Sequence, residues 1–405
     1  MKEIFVDVLV VGAGIAGTVA ALKIAKDGRS VLVIEKLNKI GSHNNEKIDI
    51  TENLELDDIF YELDLPHIGK FNKSVWHSPS CTFTLHSNVH DYYILRGPGK
   101  KSFESIVSLK ASRLGAKFWT DAEIVDIYGK NGFFSKVKVR KGSNHVLVNT
   151  RFIIGAVGIN FKIFEKFGFL FLESKGVDLV GYGGVFTDIN IPSGETHIFF
   201  DSILAPGGYF YLGRTNNNFC VASIVIDKAK QSNKSLKYFF ERFKEENYEL
   251  KSILNGSKIQ NTFVGIGKAG IIKKRVIGNV ALVGDAGLVM DPIFGYGVRQ
   301  AIISGYLSAS IIADNIDNPH CLEIYEHELK YRLLKNERES HFLRSIMNKM
   351  DNKTFDSLFR VLIDINKLHK IDSLLSDKVK LVVVFLKVFL KRPIDVIRLV
   401  AMAIF

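Results

Sequence analysis

Six residues near the start of the chain constrain its fold more than any others. The motif Gly12-Ala13-Gly14-Ile15-Ala16-Gly17 follows the β-branched run Val6–Val11 and leads into small and apolar residues. Such a run is typical of a strand buried on both faces, and the GxGxxG spacing is typical of a strand-to-helix turn. The sequence therefore predicts a βαβ unit, with strands at Val6–Val11 and Ser30–Glu35 and a helix at Ile15–Lys26.

The three glycines have the spacing that a dinucleotide requires. Gly12 allows a tight turn, Gly14 lets the backbone approach a pyrophosphate, and Gly17 lets the helix and strand pack closely. The N-terminus of the helix favours anions because it carries N–H groups without partners and a partial positive charge. Glu35 ends the second strand, where a carboxylate accepts hydrogen bonds from ribose hydroxyls. We predict cofactor contacts from Gly12, Ala13, Gly14, Ile15, Ala16, Gly17, Glu35 and Lys36.

A second stretch has the same glycine spacing but a different context. In Gly265-Ile-Gly267-Lys-Ala-Gly270 the glycines are followed by Ile-Ile-Lys-Lys-Arg-Val-Ile and then by a predicted strand. Because no helix follows, no helix N-terminus is aimed at a phosphate. The sequence therefore favours one dinucleotide site rather than two.

A second glycine signature lies in Asn279–Gln300, NVALVGDAGLVMDPIFGYGVRQ. A predicted strand, Val280–Val283, ends in Gly284-Asp285, and Gly295 and Gly297 open a predicted helix, Tyr296–Ile312. Together with the first motif, this stretch resembles the FAD-containing flavoproteins that include aromatic hydroxylases and halogenases, and most closely the geranylgeranyl reductases of archaeal and photosynthetic lipid pathways.

The resemblance implies FAD as the cofactor and a role for each part of the second signature. The residue that matches Asp285 bonds the ribityl chain, and those that match Gly295 and Gly297 place a helix N-terminus beside the flavin pyrimidine ring. A helix dipole there stabilises the negative charge of reduced flavin. The predicted contacts of this signature are Gly284, Asp285, Pro292, Gly295, Gly297 and Val298.

Two further stretches resemble the family less completely. Leu95–Ala116 looks like its basic-x-x-Phe-acid helix, so either Arg96 or Lys100 is expected near the cofactor, with an exposed surface cation as the alternative. The reductases' aromatic strand motif survives only as a remnant in Gly208-Tyr209-Phe210-Tyr211. Tyr209 and Tyr211 are candidate substrate contacts, and core packing explains them equally well.

The predicted fold class is α/β, with a Rossmann-like FAD-binding domain interrupted by a β-sheet substrate domain and followed by a C-terminal helical region. The FAD-binding domain comprises residues 1–75, 96–160 and 265–315, the β-rich domain 76–95 and 161–264, and the helical region 316–405. Further predicted strands are Thr82–Leu85, Asp91–Leu95, Phe134–Arg140, Val146–Phe152 and several antiparallel strands within Asp178–Asp227; further predicted helices are Asp57–Leu63, Ser102–Leu114 and Ser235–Glu249.

Composition excludes several classes of protein. Lysine and arginine number 54 against 43 acidic residues, a net charge of +11, yet the chain has no arginine-rich tract or finger spacing, so no nucleic-acid partner is expected. No uncharged apolar run reaches the ~18 residues of a membrane span. The three cysteines are far apart, which suggests neither disulfides nor zinc, and no leader is evident. We expect a cytoplasmic protein without a metal site.

The last residues suggest a peripheral association with a membrane. Val379–Phe405 is aliphatic and Phe-rich, and Lys380, Lys387 and Lys391 are spaced so that on a helix they share one stripe. A basic amphipathic helix binds anionic lipid surfaces. Two core helices that close the fold are the alternative.

The activity expected from the resemblance is reduction of C=C bonds in geranylgeranyl (isoprenoid) chains during membrane lipid biosynthesis. It implies a prenyl-lipid substrate and an external electron donor, such as ferredoxin, a quinol-like carrier or NAD(P)H. The first alternative is an FAD-dependent monooxygenase (hydroxylase or epoxidase) of an apolar or aromatic substrate. The second is a halogenase, a cyclase, another flavin oxidoreductase or a non-catalytic flavoprotein. No side chain is assigned a catalytic proton-transfer role from the sequence.

Overall fold

The structure is a computed structural model that describes residues 2–43, 45–53, 55–215, 219–335, 337–368 and six residues between 391 and 399. Within these residues the chain forms two compact units. The first is made of the described residues within Met1–Lys70, His90–Asp178 and Asn261–Ser340, and the second of those within Phe71–Val89, Leu179–Gln260 and His341–Phe405. The division into three functional regions stays a prediction.

The strands and helices are numbered in chain order. The strands are β1 (Lys2–Val11), β2 (Val31–Ile34), β3 (Lys47–Thr51), β4 (Gly69–His77), β5 (Thr82–Arg96), β6 (Lys117–Trp119), β7 (Ala122–Lys130), β8 (Phe133–Lys141), β9 (Asn144–Gly155), β10 (Phe171–Phe186), β11 (Glu195–Phe199), β12 (Tyr209–Arg214), β13 (Cys220–Asp227), β14 (Ile259–Ile272), β15 (Val276–Ile277) and β16 (Val280–Leu282). The helices are α1 (Ile15–Lys26), α2 (Asp57–Leu63), α3 (Phe103–Arg113), α4 (Leu236–Glu246), α5 (Tyr248–Ile253), α6 (Val298–Asp314), α7 (Leu322–Arg332), α8 (Glu337–Lys349) and α9 (Asn352–Leu368).

The first unit is built on a sheet with strand order β15-β16-β9-β1-β2-β6. All neighbours in it are parallel except β15, which is antiparallel to β16, and the β7–β8 hairpin extends it beside β9. Val8 and Val10 pack into the core on the side of α1 and α6, whereas Leu9 and Val11 pack into a second core on the opposite face. The prediction that β1 is buried on both faces is therefore confirmed.

The strands of this sheet end at one common edge. Val11 lies opposite both Ile34 and Gly155 in the register, and Gly155 in turn lies opposite Leu282. Only β9 separates β1 from β16, a distance of about two strand spacings or ~10 Å. The two glycine signatures therefore leave the sheet side by side, although more than 250 residues of sequence lie between them.

The second unit contains a sheet with the order β10-β13-β12-β11-β4. Its neighbours are antiparallel except for β11 and β4, which are parallel. Phe210 of β12 packs against Phe240 and Phe243 of α4, with ring centroids 5.2 and 5.1 Å apart. This apolar layer explains why the amphipathic helix α4 lies against this sheet.

Two predicted boundaries are wrong. The predicted strands Thr82–Leu85 and Asp91–Leu95 belong to one strand, β5, because the polar residues between them include no turn-forming Gly or Pro. The predicted helix Ser235–Glu249 is divided at Asn247, which has extended backbone angles. The Asn247 side chain accepts a hydrogen bond from the Leu250 N–H at 2.9 Å, so it caps the N-terminus of α5.

Most of the predicted lysine stripe near the end of the chain lies outside the described residues, including Lys380 and Lys387. Lys391 is described, and its ammonium group lies 2.7 Å from the Asp364 carboxylate of α9. Arg360 of α9 likewise binds Asp395 at 3.1 Å. Among the described residues, no helix combines the length and the apolar character that crossing a membrane requires.

Candidate flavin site

The first turn of the site needs glycine at its first position. The Gly12 N–H donates to the Ile34 carbonyl at 2.8 Å, and its φ of 105° is one that other residues rarely adopt. A Cβ atom at Gly12 would lie 2.3 Å from the Ala156 carbonyl oxygen. The turn can therefore follow β1 so closely only because residue 12 has no side chain.

The other two glycines serve different purposes. A Cβ atom on Gly17 would lie 2.0 Å from the Gly12 carbonyl oxygen, so Gly17 permits the close packing of α1 on the turn. A Cβ atom on Gly14 would have no protein atom within 4 Å. Gly14 is also the N-cap of α1, and no side chain caps that helix. Open space thus meets a helix N-terminus at the position where the motif needs room for a pyrophosphate.

The Glu35 carboxylate is fixed against this turn. Its oxygens accept hydrogen bonds from the backbone N–H groups of Ala13 and Leu37, both at 2.9 Å. These bonds hold the carboxylate at the carboxyl edge of β2, where a ribose could reach it. The side chain of Lys36 points elsewhere: it is 79% exposed, and its ammonium group lies 3.9 Å from Glu123.

The second signature contacts the first. Gly284 has a φ of 58° and begins a 3₁₀ turn after β16, and its N–H donates to Ser304 Oγ at 2.9 Å. A Cβ atom on Gly284 would lie 3.2 Å from the Cβ atom of Ala16. A Cβ atom on Gly305 of α6 would lie 2.4 Å from the Ala16 carbonyl oxygen. The small residues of both signatures therefore let α1 and α6 approach the same turn.

The start of α6 lies beside Asp285. Gly297 is the N-cap of α6 without a capping side chain, and a Cβ atom there would lie 3.3 Å from Asp285 Oδ1. Gly295 has a φ of 76°, and its N–H donates to the Asp291 carbonyl at 2.9 Å, which forms the turn around the buried Pro292. The buried Val298 is the first residue of α6. The geometry brings the predicted residues of this signature together in one turn and helix start.

Arg96 lies in a largely buried charged cluster near this turn. Its guanidinium donates to Glu104 at 2.8 Å and to Asp49 at 3.0 Å. Burial disfavours the charged guanidinium, but the two carboxylates outweigh it and raise the pKa of Arg96. Burial raises the pKa of Asp285, and the positive charge of Arg96 opposes that rise. Because Lys100 is exposed, Arg96 is the better candidate of the two predicted cations.

Glu52 belongs to the same unit but was not predicted from the sequence. Burial raises the pKa of Glu52 to about 7. The positive charge of Arg299 opposes this rise, and the negative charges of Asp291 and Asp91 add to it. Glu52 directly follows β3, whereas Asp291 and Arg299 belong to the second signature and α6. No local sequence pattern marks such a residue, because its environment is assembled from distant segments.

The remaining candidates are also placed by the structure. The literal Gly265–Gly270 repeat lies within β14, so it forms no strand-to-helix turn. Tyr209 and Tyr211 lie on one face of β12, and both are buried. The Tyr209 ring is 6.1 Å from that of Phe200, which in turn contacts Phe355 of α9 at 5.4 Å. The two tyrosines therefore belong to an aromatic cluster of the second unit, and a contact with substrate stays a prediction.

A parallel sheet with two converging glycine turns at its carboxyl edge defines a dinucleotide-binding fold of the flavoprotein type. The chain belongs to the FAD binding domain family, whose model matches residues 5–340. The open space at Gly14 and the uncapped starts of α1 and α6 fit this cofactor. The predictions of the α/β fold class and of FAD as the cofactor are confirmed.

Individual relatives agree with the predicted resemblance. The chain is 26% identical over 371 residues to a digeranylgeranylglycerophospholipid reductase of Methanocella arvoryzae, covering 86% of this chain and 89% of the relative. A solved structure of a geranylgeranyl bacteriochlorophyll reductase-like protein from Thermoplasma acidophilum matches with a TM-score of 0.75 at 22% identity, covering 99% and 100% of the two chains. The flavin-dependent brominase Bmp2 matches with a TM-score of 0.67 at 18% identity, covering 85% and 87%. The resemblance to the geranylgeranyl reductase family is thereby confirmed.

Proposed function

We propose that this chain is an FAD-dependent oxidoreductase that reduces C=C bonds in the geranylgeranyl chains of membrane lipids. The observation that carries this proposal is the match to the Methanocella arvoryzae reductase over 86% of this chain and 89% of the relative. A match of that extent includes most of the residues beyond the glycine signatures. It therefore favours a shared substrate class as well as a shared cofactor.

When bound, FAD would supply a hydride to one alkene carbon, while a proton reaches the other. The chain's own residues would bind and orient the cofactor. The turn at Gly12 and Gly14 and the N-terminus of α1 would hold the pyrophosphate, and Glu35 would accept the hydroxyls of the ribose. Asp285 and Arg96 would lie beside the middle of the cofactor. The remaining proposed contacts are those predicted from the two signatures, of which Lys36 has the weakest support because its side chain faces away.

The uncapped start of α6 would tune the redox chemistry. An unactivated alkene accepts hydride poorly, so the hydride must come from a fully reduced, anionic flavin. Reduced flavin carries negative charge, and the free N–H groups and dipole at Gly297 would stabilise that charge without a competing side chain. The same feature would slow the loss of the reduced cofactor from the protein.

The substrate and partners follow from the chemistry of the reaction. An isoprenoid chain needs apolar surroundings, and we propose that it would reach them near the aromatic cluster around Tyr209 and Tyr211 in the second unit. The two electrons that the reaction consumes would come from an external donor, ferredoxin or NAD(P)H. A cytoplasmic protein that associates with the membrane surface through its basic C-terminal segment would reach a lipid whose headgroup stays in the bilayer.

The test is an anaerobic turnover experiment. The FAD-loaded protein is reduced with dithionite and incubated with a digeranylgeranylglycerol phospholipid, and the extracted lipid is analysed by mass spectrometry. We expect a gain of about 2 Da for each reduced bond, since one hydride and one proton are added. Protein that has been reduced and then reoxidised under nitrogen with ferricyanide serves as the control and should give no gain.

Oxygen distinguishes the main alternative. If the lipid mass is unchanged without oxygen, and an apolar substrate gains the mass of one oxygen atom in air, the chain is a monooxygenase and the proposal is wrong. If neither product forms although the flavin is reduced and retained, the proposed substrate class is wrong.

A further inference from the structure

Two histidines of the second unit lie side by side in its sheet. His77 ends β4 and His197 is the middle residue of β11, and the parallel register of these strands places both side chains on one face. His77 Nε2 lies 3.0 Å from His197 Nδ1. The His77 ring is also stacked on Phe199, with centroids 4.1 Å apart, which limits its rotation.

The outer nitrogen of each ring faces a group that accepts hydrogen bonds. His77 Nδ1 lies 3.1 Å from a carboxylate oxygen of Glu249 and 3.3 Å from Thr82 Oγ1. His197 Nε2 is buried without a hydrogen-bond partner among the described residues, and the nearest Glu195 oxygen lies 3.6 Å away. Since an ionised carboxylate only accepts, the contact with Glu249 favours the protonated, donating form of His77 Nδ1.

The consequence appears between the rings. A neutral imidazole that is protonated on its outer nitrogen has a lone pair on its inner nitrogen. The His77 Nε2 lone pair then faces His197 Nδ1 across 3.0 Å, where it can accept a proton held by His197 or bind a metal ion. A metal ion there would let the unpartnered His197 Nε2 carry a proton directed towards Glu195.

Glu249 favours the metal ion. It is the second residue of α5, its side chain is 51% exposed, and one ligand atom from each of His77, His197 and Glu249 lies within 4.8 Å of the other two. Two nitrogens bound to one tetrahedral zinc-class ion at about 2.1 Å are separated by about 3.4 Å. The two histidine nitrogens lie at 3.0 Å, so they would move apart by a few tenths of an ångström to admit the ion. The Glu249 side chain would rotate inward from His77 Nδ1 to bind it, leaving Thr82 as acceptor for His77.

The surroundings are those of a metal-bound histidine. A ligating histidine usually donates its other N–H to a carboxylate that is itself held in place. Glu195 is the carboxylate nearest to that position, 3.6 Å from His197 Nε2, and its other oxygen binds Lys73 at 2.6 Å. Two imidazoles and one carboxylate form a donor set that suits Zn²⁺ and similar divalent transition ions, with a fourth position open to water.

We propose that His77, His197 and Glu249 form a binding site for one divalent transition ion of the zinc class. The ion would connect β4, β11 and α5 within the second unit, and so stabilise it. None of its three residues belongs to the glycine turns of the first unit, and the proposal does not depend on the proposed reaction.

Zinc binding by the FAD-loaded full chain tests this proposal. Isothermal titration with ZnCl₂ should saturate at one ion per chain, and zinc should raise the melting temperature, since a ligand that binds only the folded state stabilises it. EDTA should reverse that rise. Removing a residue that only hydrogen-bonds to a metal ligand lowers metal affinity by about 10- to 100-fold. Glu249 and His197 are proposed to bind the ion directly, so Glu249→Gln and His197→Ala should each lower zinc affinity by at least about 10-fold.

Two variants are the matched controls. Glu245→Gln changes an exposed carboxylate on the neighbouring helix α4, and His145→Ala removes an exposed histidine of β9. Both should keep the affinity of the unaltered chain. If His197→Ala does not fold, the test rests on Glu249→Gln, whose wild-type side chain is half-exposed and whose replacement should leave folding intact. Absence of stoichiometric binding, or binding that Glu249→Gln leaves unchanged, would overturn the metal site and leave a shared proton between the histidines.

Discussion

Replacing Gly14 by alanine should separate cofactor binding from folding. A Cβ atom at this position meets no protein atom within 4 Å, and the backbone angles of Gly14 are allowed for alanine. Two small effects on the flavin-free protein oppose each other: alanine is a poorer N-cap than glycine, but it restricts the unfolded chain. The free energy of unfolding without FAD should therefore change by less than about 1 kcal/mol.

The flavin-loaded protein should respond differently. The added methyl group occupies the space that the pyrophosphate would fill, and overpacking of a close contact costs about 1–3 kcal/mol. Since a loss of 1.4 kcal/mol in binding free energy raises the dissociation constant tenfold, FAD affinity should fall by about 5- to 150-fold. The measurement is a titration of the flavin-free protein with FAD, followed by flavin fluorescence, together with urea unfolding of the same preparation.

Gly265→Ala is the matched control. Gly265 is the first glycine of the repeat in β14, and a Cβ atom there also meets no protein atom within 4 Å. This variant should keep the FAD affinity of the unaltered chain. The reasoning is refuted if Gly14→Ala binds FAD as tightly as the unaltered chain, or if Gly265→Ala loses as much affinity.

Three further changes probe other parts of the account. Glu35→Ala should weaken FAD binding by roughly 1–3 kcal/mol, measured by the same titration, since a charge-assisted hydrogen bond is lost. The pKa of Glu52 in the folded protein is about 7, above its ordinary value of 4.5, so its contribution to stability is full at low pH and is lost as the pH rises from 4.5 to 7. In the unaltered flavin-free protein, the free energy of unfolding should therefore fall by up to about 3 kcal/mol over this range. Glu52→Gln should remove that fall, as measured by urea unfolding at several pH values. Replacing both Lys380 and Lys387 by glutamine should weaken sedimentation with anionic vesicles by about 1 kcal/mol for each charge.

Each of these changes has a control. Glu165→Ala removes an exposed carboxylate and should alter neither FAD affinity nor the pH dependence of stability. Glutamine at the exposed Lys100 and Lys101 should leave vesicle binding unchanged if the effect is specific to the C-terminal segment. Equal loss in both lysine pairs would indicate a general effect of net charge, and a pH profile shared by Glu52→Gln and the unaltered chain would contradict the buried state of Glu52.

The sequence predicted those features that depend on contiguous residues. The β-branched run of β1 and the glycines after it were predicted correctly because each strand, turn and helix is encoded by its own residues. The division at Asn247 was missed because the charged pattern of a helix continues on both sides of it, and only the capping hydrogen bond to Leu250 marks the break. Strand β5 was divided incorrectly because its polar centre resembles a loop.

Features that depend on distant residues were accessible only from the structure. His77 and His197 are 120 positions apart, and only the parallel pairing of β4 with β11 makes them neighbours. Glu52 owes its raised pKa to burial and to charges contributed by other segments. The convergence of the two glycine signatures was predicted from a family resemblance, and the register of β1, β9 and β16 now provides its physical reason.

The flavin content of the purified full-length protein tests the central claim most directly. If two glycine turns at one sheet edge hold a single cofactor, the protein should be yellow and should release one FAD per chain on denaturation, without a covalent bond to the protein. A colourless protein that takes up no FAD after refolding in its presence would contradict the account.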